Sequence, residues 1–125
     1  MNLSSNKFFA WSCWNINKNS IESIQEKSKK NGVFTKIIDI EIVSKNDYIS
    51  INITDNGTGF STDIIKNITK PYFTTKSKGS GLGLAIVNKI INDHNGKIKF
   101  VQQKIGAKII INFPKNVYWN INYRR

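Results

Sequence analysis

Between Gly79 and Val87 the chain reads GSGLGLAIV, with glycines at three alternate positions running directly into apolar, helix-forming residues. This junction constrains the fold more than any other stretch, because it sets a turn largely free of Cβ atoms at the mouth of a helix. Backbone N–H groups in such a turn can approach a ligand closely, and the unpaired N–H groups of the helix's first turn face an anion with the positive end of the dipole. A phosphate cradle is one reading; a flexible hinge ahead of a core helix is the other. Two commoner phosphate templates do not fit. Leu84 stands where the dinucleotide fingerprint needs its third glycine, and no Gly-Lys-Ser/Thr follows a four-residue gap.

Upstream, the spacing predicts a helix from about Phe8 to Lys30, with Phe9, Cys13, Ile16, Ser20 and Ile24 on one stripe flanked by Ala10, Trp14 and Ile21. Asn31-Gly32 is its stop, and Asn17 falls inside the apolar stripe without a packing reason. Asn15 and Asn19, four apart, share a face that solvent alone would explain. Lys36–Ser44 and Tyr48–Thr54 alternate Ile or Val with polar residues, so they read as strands joined by a Lys45-Asn46-Asp47 turn. The second strand runs into Asp55-Asn56-Gly57-Thr58-Gly59-Phe60, which as a local sequence is simply a turn. A short helix from Thr62 leads into a long loop through Pro71–Lys76, and loops of that length in compact domains often act as lids. After the glycine-rich junction, Leu82, Leu84, Ala85, Ile86, Ile90 and Ile91 predict a largely buried helix ending near Asn95-Gly96. Lys97–Gln103 and Ala107–Phe113 predict a closing hairpin over Gly106. The order α, ββ, short α, α, ββ implies an α+β fold with helices layered on one face of a mixed or antiparallel sheet.

At 125 residues the chain is long enough for one domain with a real core. Its one cysteine, Cys13, excludes an internal disulfide and points to a reducing compartment, the cytoplasm. No apolar run reaches the roughly 20 residues of a membrane span, and Phe8–Trp14 is too short for a signal peptide. A net charge of +11 invites a nucleic-acid-binding reading. The basic residues are spread rather than clustered, however, and the excess of Lys, Asn and Ile follows AT-rich codons. The charge then serves to attract an anionic ligand or partner.

Four motifs occur in a telling order: NINKNS with Asn15 and Asn19, DNGTGF at Asp55–Phe60, PYFTTK at Pro71–Lys76, and GSGLGL at Gly79–Leu84. These match the N, G1, F and G2 boxes. Over roughly Ala10–Pro114 the chain resembles the ATP-binding catalytic domain of sensor histidine kinases, in the superfamily that also holds gyrase, Hsp90 and MutL. The short lid and the PYFTTK sequence look most like the nitrogen-regulation class.

The resemblance implies a two-layer α/β sandwich of the Bergerat type, its helices on one face of a mixed, mainly antiparallel sheet, with ATP between the helical layer and the lid. Asp55 would accept a hydrogen bond from adenine's amine, where guanine presents an oxygen. Gly57 and Gly59 would let the chain pass beneath the base, and Phe60 would wall the pocket. Asn19 carries over as the Mg²⁺ ligand through its amide oxygen. Gly79, Gly81 and Gly83 would present amides to the phosphates, with Leu82 and Leu84 beside them. Lys76, with Lys78 near it, would neutralise charge on the terminal phosphate, and Thr75 and Phe73 belong to the lid. Asn15 stands where the ATP-hydrolysing branch carries a water-activating glutamate; an amide cannot serve as that base. Transfer to a protein nucleophile is therefore favoured over hydrolysis.

The resemblance also marks what the sequence does not contain. The family's phosphoacceptor histidine lies on a dimerising helical pair, whereas His94, the only histidine, falls in a structural Asp-His-Asn-Gly segment. The expectation is a domain over residues 1–115 without the usual first strand and dimerisation helices, followed by an unassigned tail over 116–125. As a truncated or split kinase it would act on a separate dimerisation domain, which then serves a response regulator, and would itself be monomeric. The alternatives are an ATP-binding pseudokinase or gene remnant without transfer activity, and a basic nucleic-acid-binding domain.

Overall fold

The computed structural model describes residues 3–70 and 83–115, with side chains from residue 11 onward. Helix α1 (Leu3–Asn31) is followed by strands β1 (Ile38–Ser44) and β2 (Tyr48–Asp55), the short helix α2 (Thr62–Asn67), helix α3 (Gly83–Asp93), and strands β3 (Lys97–Gln102) and β4 (Ala107–Pro114). The sheet order is β1-β2-β4-β3, and every pair among these strands is antiparallel. Of the mixed or antiparallel sheet expected, the described strands form the antiparallel form. The reason is local: each hairpin folds its second strand straight back on the first, and the two hairpins meet through β2 and β4.

One sheet face carries the core. Along it, Ile40, Ile53, Ile109 and Phe100 lie side by side across all four strands, as do Ile42, Ile51, Ile111 and Ile98 in the next row. Helices α2 and α3 pack over β3, and α1 packs on α3. Ile16, Val87, Ile91 and Ile111 are the largest fully buried side chains where these layers meet.

In α1 the buried row is Ser12, Ile16, Ser20 and Ile24. Its spacing of four keeps one face inward, and the two serines let the helix approach its neighbours closely. Trp14 and Ile21, expected beside the stripe, lie instead on the solvent side at 59% and 47% exposure. In α3 the inward positions are Val87 and Ile91, while Ile86, expected in the buried set, is exposed. With four apolar residues in succession from Leu84, composition alone does not identify the buried face; α1 does. The short helix α2 begins at Ser61, whose hydroxyl accepts from Ile64 N at 3.2 Å, an N-cap that satisfies one of the helix's open donors. His94 closes α3, with its Nδ1 2.7 Å from Ile90 O.

Strand β1 departs from expectation most. Its alternation predicts a half-buried strand, yet Ile38, Ile40 and Ile42 are 36%, 51% and 69% exposed. They lie on the core face, opposite Asp55, Ile53 and Ile51, but the helical layer sits toward β3 and does not cover them.

Candidate functional site

Asp55 ends β2, 5% exposed, between Ile38 of β1 and Ala107 of β4. One carboxylate oxygen, Oδ1, accepts from Gly57 N at 2.9 Å, closing the turn that lets the chain leave the strand. The other makes no hydrogen bond among the described residues. A carboxylate oxygen is thus fixed in place at a strand end with acceptor capacity left for a ligand donor.

The turn after Asp55 is held from three sides. From α1, the Ser23 hydroxyl accepts from Thr58 N at 2.9 Å and exchanges a second bond with Thr58 Oγ1 at 2.9 Å, while Lys27 Nζ donates to Asn56 O at 2.8 Å. From the segment ahead of β1, Ile37 N donates to Asn56 Oδ1 at 2.9 Å, and Asn56 Nδ2 donates to Thr35 O at 2.6 Å. From the closing hairpin, Gln102 Oε1 accepts from Phe60 N at 2.8 Å. Gly106, at φ +77°, sits so close that a Cβ there would overlap Asp55 O and lie 2.7 Å from Asn56 Cα. Gly57 is equally confined, since a Cβ on it would overlap the Ser23 hydroxyl and lie 2.9 Å from Ile24 N. Gly59 adopts φ +77°, and a Cβ there would fall 2.6 Å from Gly106 O. The glycines expected to allow close passage are therefore required by the protein's own packing. Phe60 lies edge-on to Phe100, with ring centroids 5.8 Å apart, against the core.

Asn15 and Asn19 lie on α1 one position before Ile16 and Ser20, in a row that continues to Ser23 and Lys27. Asn15 Nδ2 donates to Trp11 O at 2.9 Å, and Asn19 Nδ2 donates to Asn15 O at 3.0 Å. Both nitrogens thereby donate to the helix backbone; in such a side chain the amide oxygen is the end that accepts a donor or meets a cation. Among the described residues no group of three His, Cys, Asp or Glu side chains gathers. Gly83 opens α3 beside this row, and a Cβ on it would stand 3.4 Å from Asn15 Oδ1. The beginning of α3 and the asparagine row are thus adjacent.

Phe73, Thr75, Lys76, Gly79, Gly81 and Leu82 lie outside the described residues, as does Lys78. Of the expected set, Gly83 lies beside Asn15, and Asp55, Gly57, Gly59 and Phe60 form one turn. Leu84 packs against the core. Sequence reasoning missed Ser23, Lys27, Asn56, Gln102 and Gly106. The first two were discoverable, since they extend the Asn15–Asn19 row by one and two helical turns. Beside Gly57 and Thr58 opens a hollow of about 300 Å³ flanked by Lys27, Lys30 and Lys104. Among the described residues no helix is long and apolar enough to cross a membrane.

The family model for histidine kinase-, DNA gyrase B-, and HSP90-like ATPases matches residues 12–117. An NtrY-like sensor histidine kinase of Rickettsia conorii is 41% identical over 96 residues, 77% of this chain and 15% of its own length. The sensor histidine kinase ZraS of Salmonella typhimurium is 50% identical over 73 residues, 57% of this chain and 16% of its own. The chain thus spans about one-seventh of the length of these relatives. Among solved structures, a nucleotide-free catalytic domain of histidine kinase ThkA superposes with a TM-score of 0.73 at 27% identity, covering 87% of this chain and 68% of that one. The mycobacterial sensor histidine kinase MprB shares the fold, with a TM-score of 0.71 at 21% identity over 86% of this chain and 70% of that chain. The four ordered motifs, the α+β layering and these matches agree: the chain belongs to the histidine kinase-, DNA gyrase B- and HSP90-like ATPase family, as an ATP-binding catalytic domain of the sensor histidine kinase type.

Proposed function

We propose that this domain, residues 1–115 with a tail over 116–125, binds Mg·ATP and offers the γ-phosphoryl group to a histidine on a separate dimerisation domain. A response regulator would then take the group onward. The observation that carries the reading is Asp55, a buried strand-end carboxylate with one oxygen fixed by Gly57 N and the other open. Adenine's exocyclic amine suits that oxygen, and guanine's carbonyl would face it with like partial charge. Asn19 Oδ1 would hold Mg²⁺, which when bound supplies charge neutralisation along the triphosphate.

The remaining roles fall to groups that orient and exclude. Gly83 and the glycines before it would offer backbone amides to the phosphates, and Lys76 would meet the terminal one. The Asn15 amide, its nitrogen donating to Trp11 O, has no basic lone pair with which to activate water. This supports transfer over hydrolysis. His94 is engaged with Ile90 O at the end of α3, which supports an acceptor histidine other than His94.

A fluorescent ATP analogue titrated with Mg²⁺ tests the site. Saturable binding is expected, competed by ATP and not by GTP. Asp55→Ala should weaken it about 10- to 100-fold, the equivalent of one hydrogen bond to a charged group at about 1.5–3 kcal/mol. Equal binding by Asp55→Ala with its fold intact would refute the assignment. Labelled ATP offered together with candidate dimerisation domains tests transfer. Label on a histidine of one of them supports the kinase reading; none with any, despite ATP binding, leaves an ATP-binding module without transfer activity.

A further inference from the structure

The hollow of about 300 Å³ beside Gly57 and Thr58 lies apart from the asparagine row. Lys27 on its wall follows Asn19 by two helical turns, about 12 Å along α1, and Ser23, bonded twice to Thr58, comes between them. Lys27 and Lys30 of α1 and Lys104 of the β3–β4 turn flank it, and no Asp or Glu among the described residues lines it. A helix end favours cations, which accounts for Lys30 in the last turn of α1. It does not account for Lys104, which the closing hairpin brings to the same place from a distant part of the chain.

The three ammonium groups have little to satisfy them. Lys30 reaches Glu26 at 3.3 Å, an exposed pair of the kind that holds a lysine only weakly. Lys104 has no ion pair among the described residues. Lys27 is fixed in place: its Nζ donates to Asn56 O at 2.8 Å and lies 4.8 Å from the centroid of the Phe34 ring. An ammonium carries three N–H donors, and the Asn56 carbonyl takes one.

We propose that this hollow is a binding site for a small oxyanion carrying two or more negative charges, a polyphosphate or a polycarboxylate. It goes beyond the nucleotide site and does not depend on it. The volume equals that of roughly ten water molecules at about 30 Å³ each, enough for several phosphate or carboxylate groups. Like charges gathered around one space repel, and an anion placed among them turns that repulsion into attraction. A single negative charge can answer one lysine; a multivalent anion can answer all three. The site also has a built-in reporter. Lys27 holds the carbonyl of the Asn56–Gly57 peptide, and the N–H of that same peptide donates to Asp55 Oδ1 at 2.9 Å. An anion that draws on Lys27 changes the polarisation of this peptide and so the environment of the Gly57 amide.

The test is a titration of the ¹⁵N-labelled protein with pyrophosphate and, separately, with citrate at constant ionic strength, with acetate as the monovalent control. Saturable amide shifts at Gly57, Thr58, Ile105 and Gly106 are expected with at least one of the two polyanions, and the tighter one identifies phosphate or carboxylate as the chemistry preferred. Acetate should bind about tenfold more weakly or worse. Lys104→Glu, an exposed change at a hairpin turn, should weaken the polyanion by about tenfold or more, and Lys30→Glu should do the same. The two variants alter different elements, so loss of fold in one leaves the other decisive. The proposal is overturned if neither polyanion saturates, if acetate binds as well, if both folded variants bind like the parent, or if the shifts gather at Gly83 and Asn15 instead. Failure of an ATP analogue to bind would count against the role of Asp55 and leave this titration untouched.

Discussion

The Ser23 hydroxyl joins helix α1 to the Asp55–Phe60 turn through Thr58, accepting from its backbone N–H and bonding its hydroxyl, both at 2.9 Å. The turn that follows Asp55 is thereby tied to the same helix that carries Asn15 and Asn19. On the proposed site, the base and metal positions would both be referenced to this one helix.

Ser23→Ala should cost about 1–2 kcal/mol, the loss of two modest hydrogen bonds with Thr58 N left seeking water. Gly57→Ala should cost more, about 2–4 kcal/mol, because its Cβ would meet α1 backbone at 2.8 Å as well as the hydroxyl. In the double variant the hydroxyl clash disappears and the backbone clash stays. Urea unfolding should therefore show only partial rescue of Gly57→Ala by Ser23→Ala.

Gly32 and Gly106 provide a matched pair. They share nearly the same left-handed backbone, φ +80° and +77°, but a Cβ on Gly32 meets nothing within 4 Å whereas one on Gly106 overlaps Asp55 O. Gly32→Ala should cost about 1 kcal/mol of backbone strain alone. Gly106→Ala should cost at least about 2 kcal/mol more and should also weaken ATP-analogue binding, because the displaced atoms belong to Asp55. Equal effects in thermal unfolding would show that the hairpin tip does not bear on the turn.

Asn17 has a buried side-chain oxygen without a hydrogen-bond partner among the described residues. A buried unpaired acceptor costs about 1–3 kcal/mol, and alanine is the better helix former by about half a kcal/mol. Asn17→Ala should accordingly stabilise the domain by about 1 kcal/mol, seen as a raised urea midpoint at unchanged slope.

Burial pushes the Cys13 thiol above its ordinary value. The folded protein therefore holds the Cys13 proton more tightly than the unfolded chain does. Stability from this source is complete below the ordinary thiol pKa and falls as pH rises through that value toward the raised one. Cys13→Ser should flatten this part of the stability curve. Alkylation of native Cys13 should lag that of the unfolded chain at neutral pH, with the gap closing only at more alkaline pH.

The element order was legible because each segment carries a period of its own: four-residue spacing around Ile16, Ser20 and Ile24, and two-residue alternation in the strands. Of the candidate site, what was legible is the local geometry: Asp55 at a strand end and glycines in a confined turn. Asn56, Gln102 and Gly106 were not, since their roles come from contacts between segments distant in the chain, and a hairpin glycine reads the same wherever its hairpin lands. The exposure of Ile40 was hidden for the converse reason. Alternation reports which face a side chain takes, not whether a helix reaches that far across the sheet.

In α1 the row Asn15, Asn19, Ser23, Lys27 stands one residue from the buried row Ser12, Ile16, Ser20, Ile24. Neither row can be released by a local excursion of the chain, since uncoiling the helix at Asn19 also withdraws Ile16 and Ile24 from their neighbours. Amide exchange in the middle of α1 should then follow global unfolding rather than fraying. Evolution can retune the asparagine row only by side-chain replacement: a one-residue insertion or deletion within the helix would rotate its asparagines and core isoleucines together.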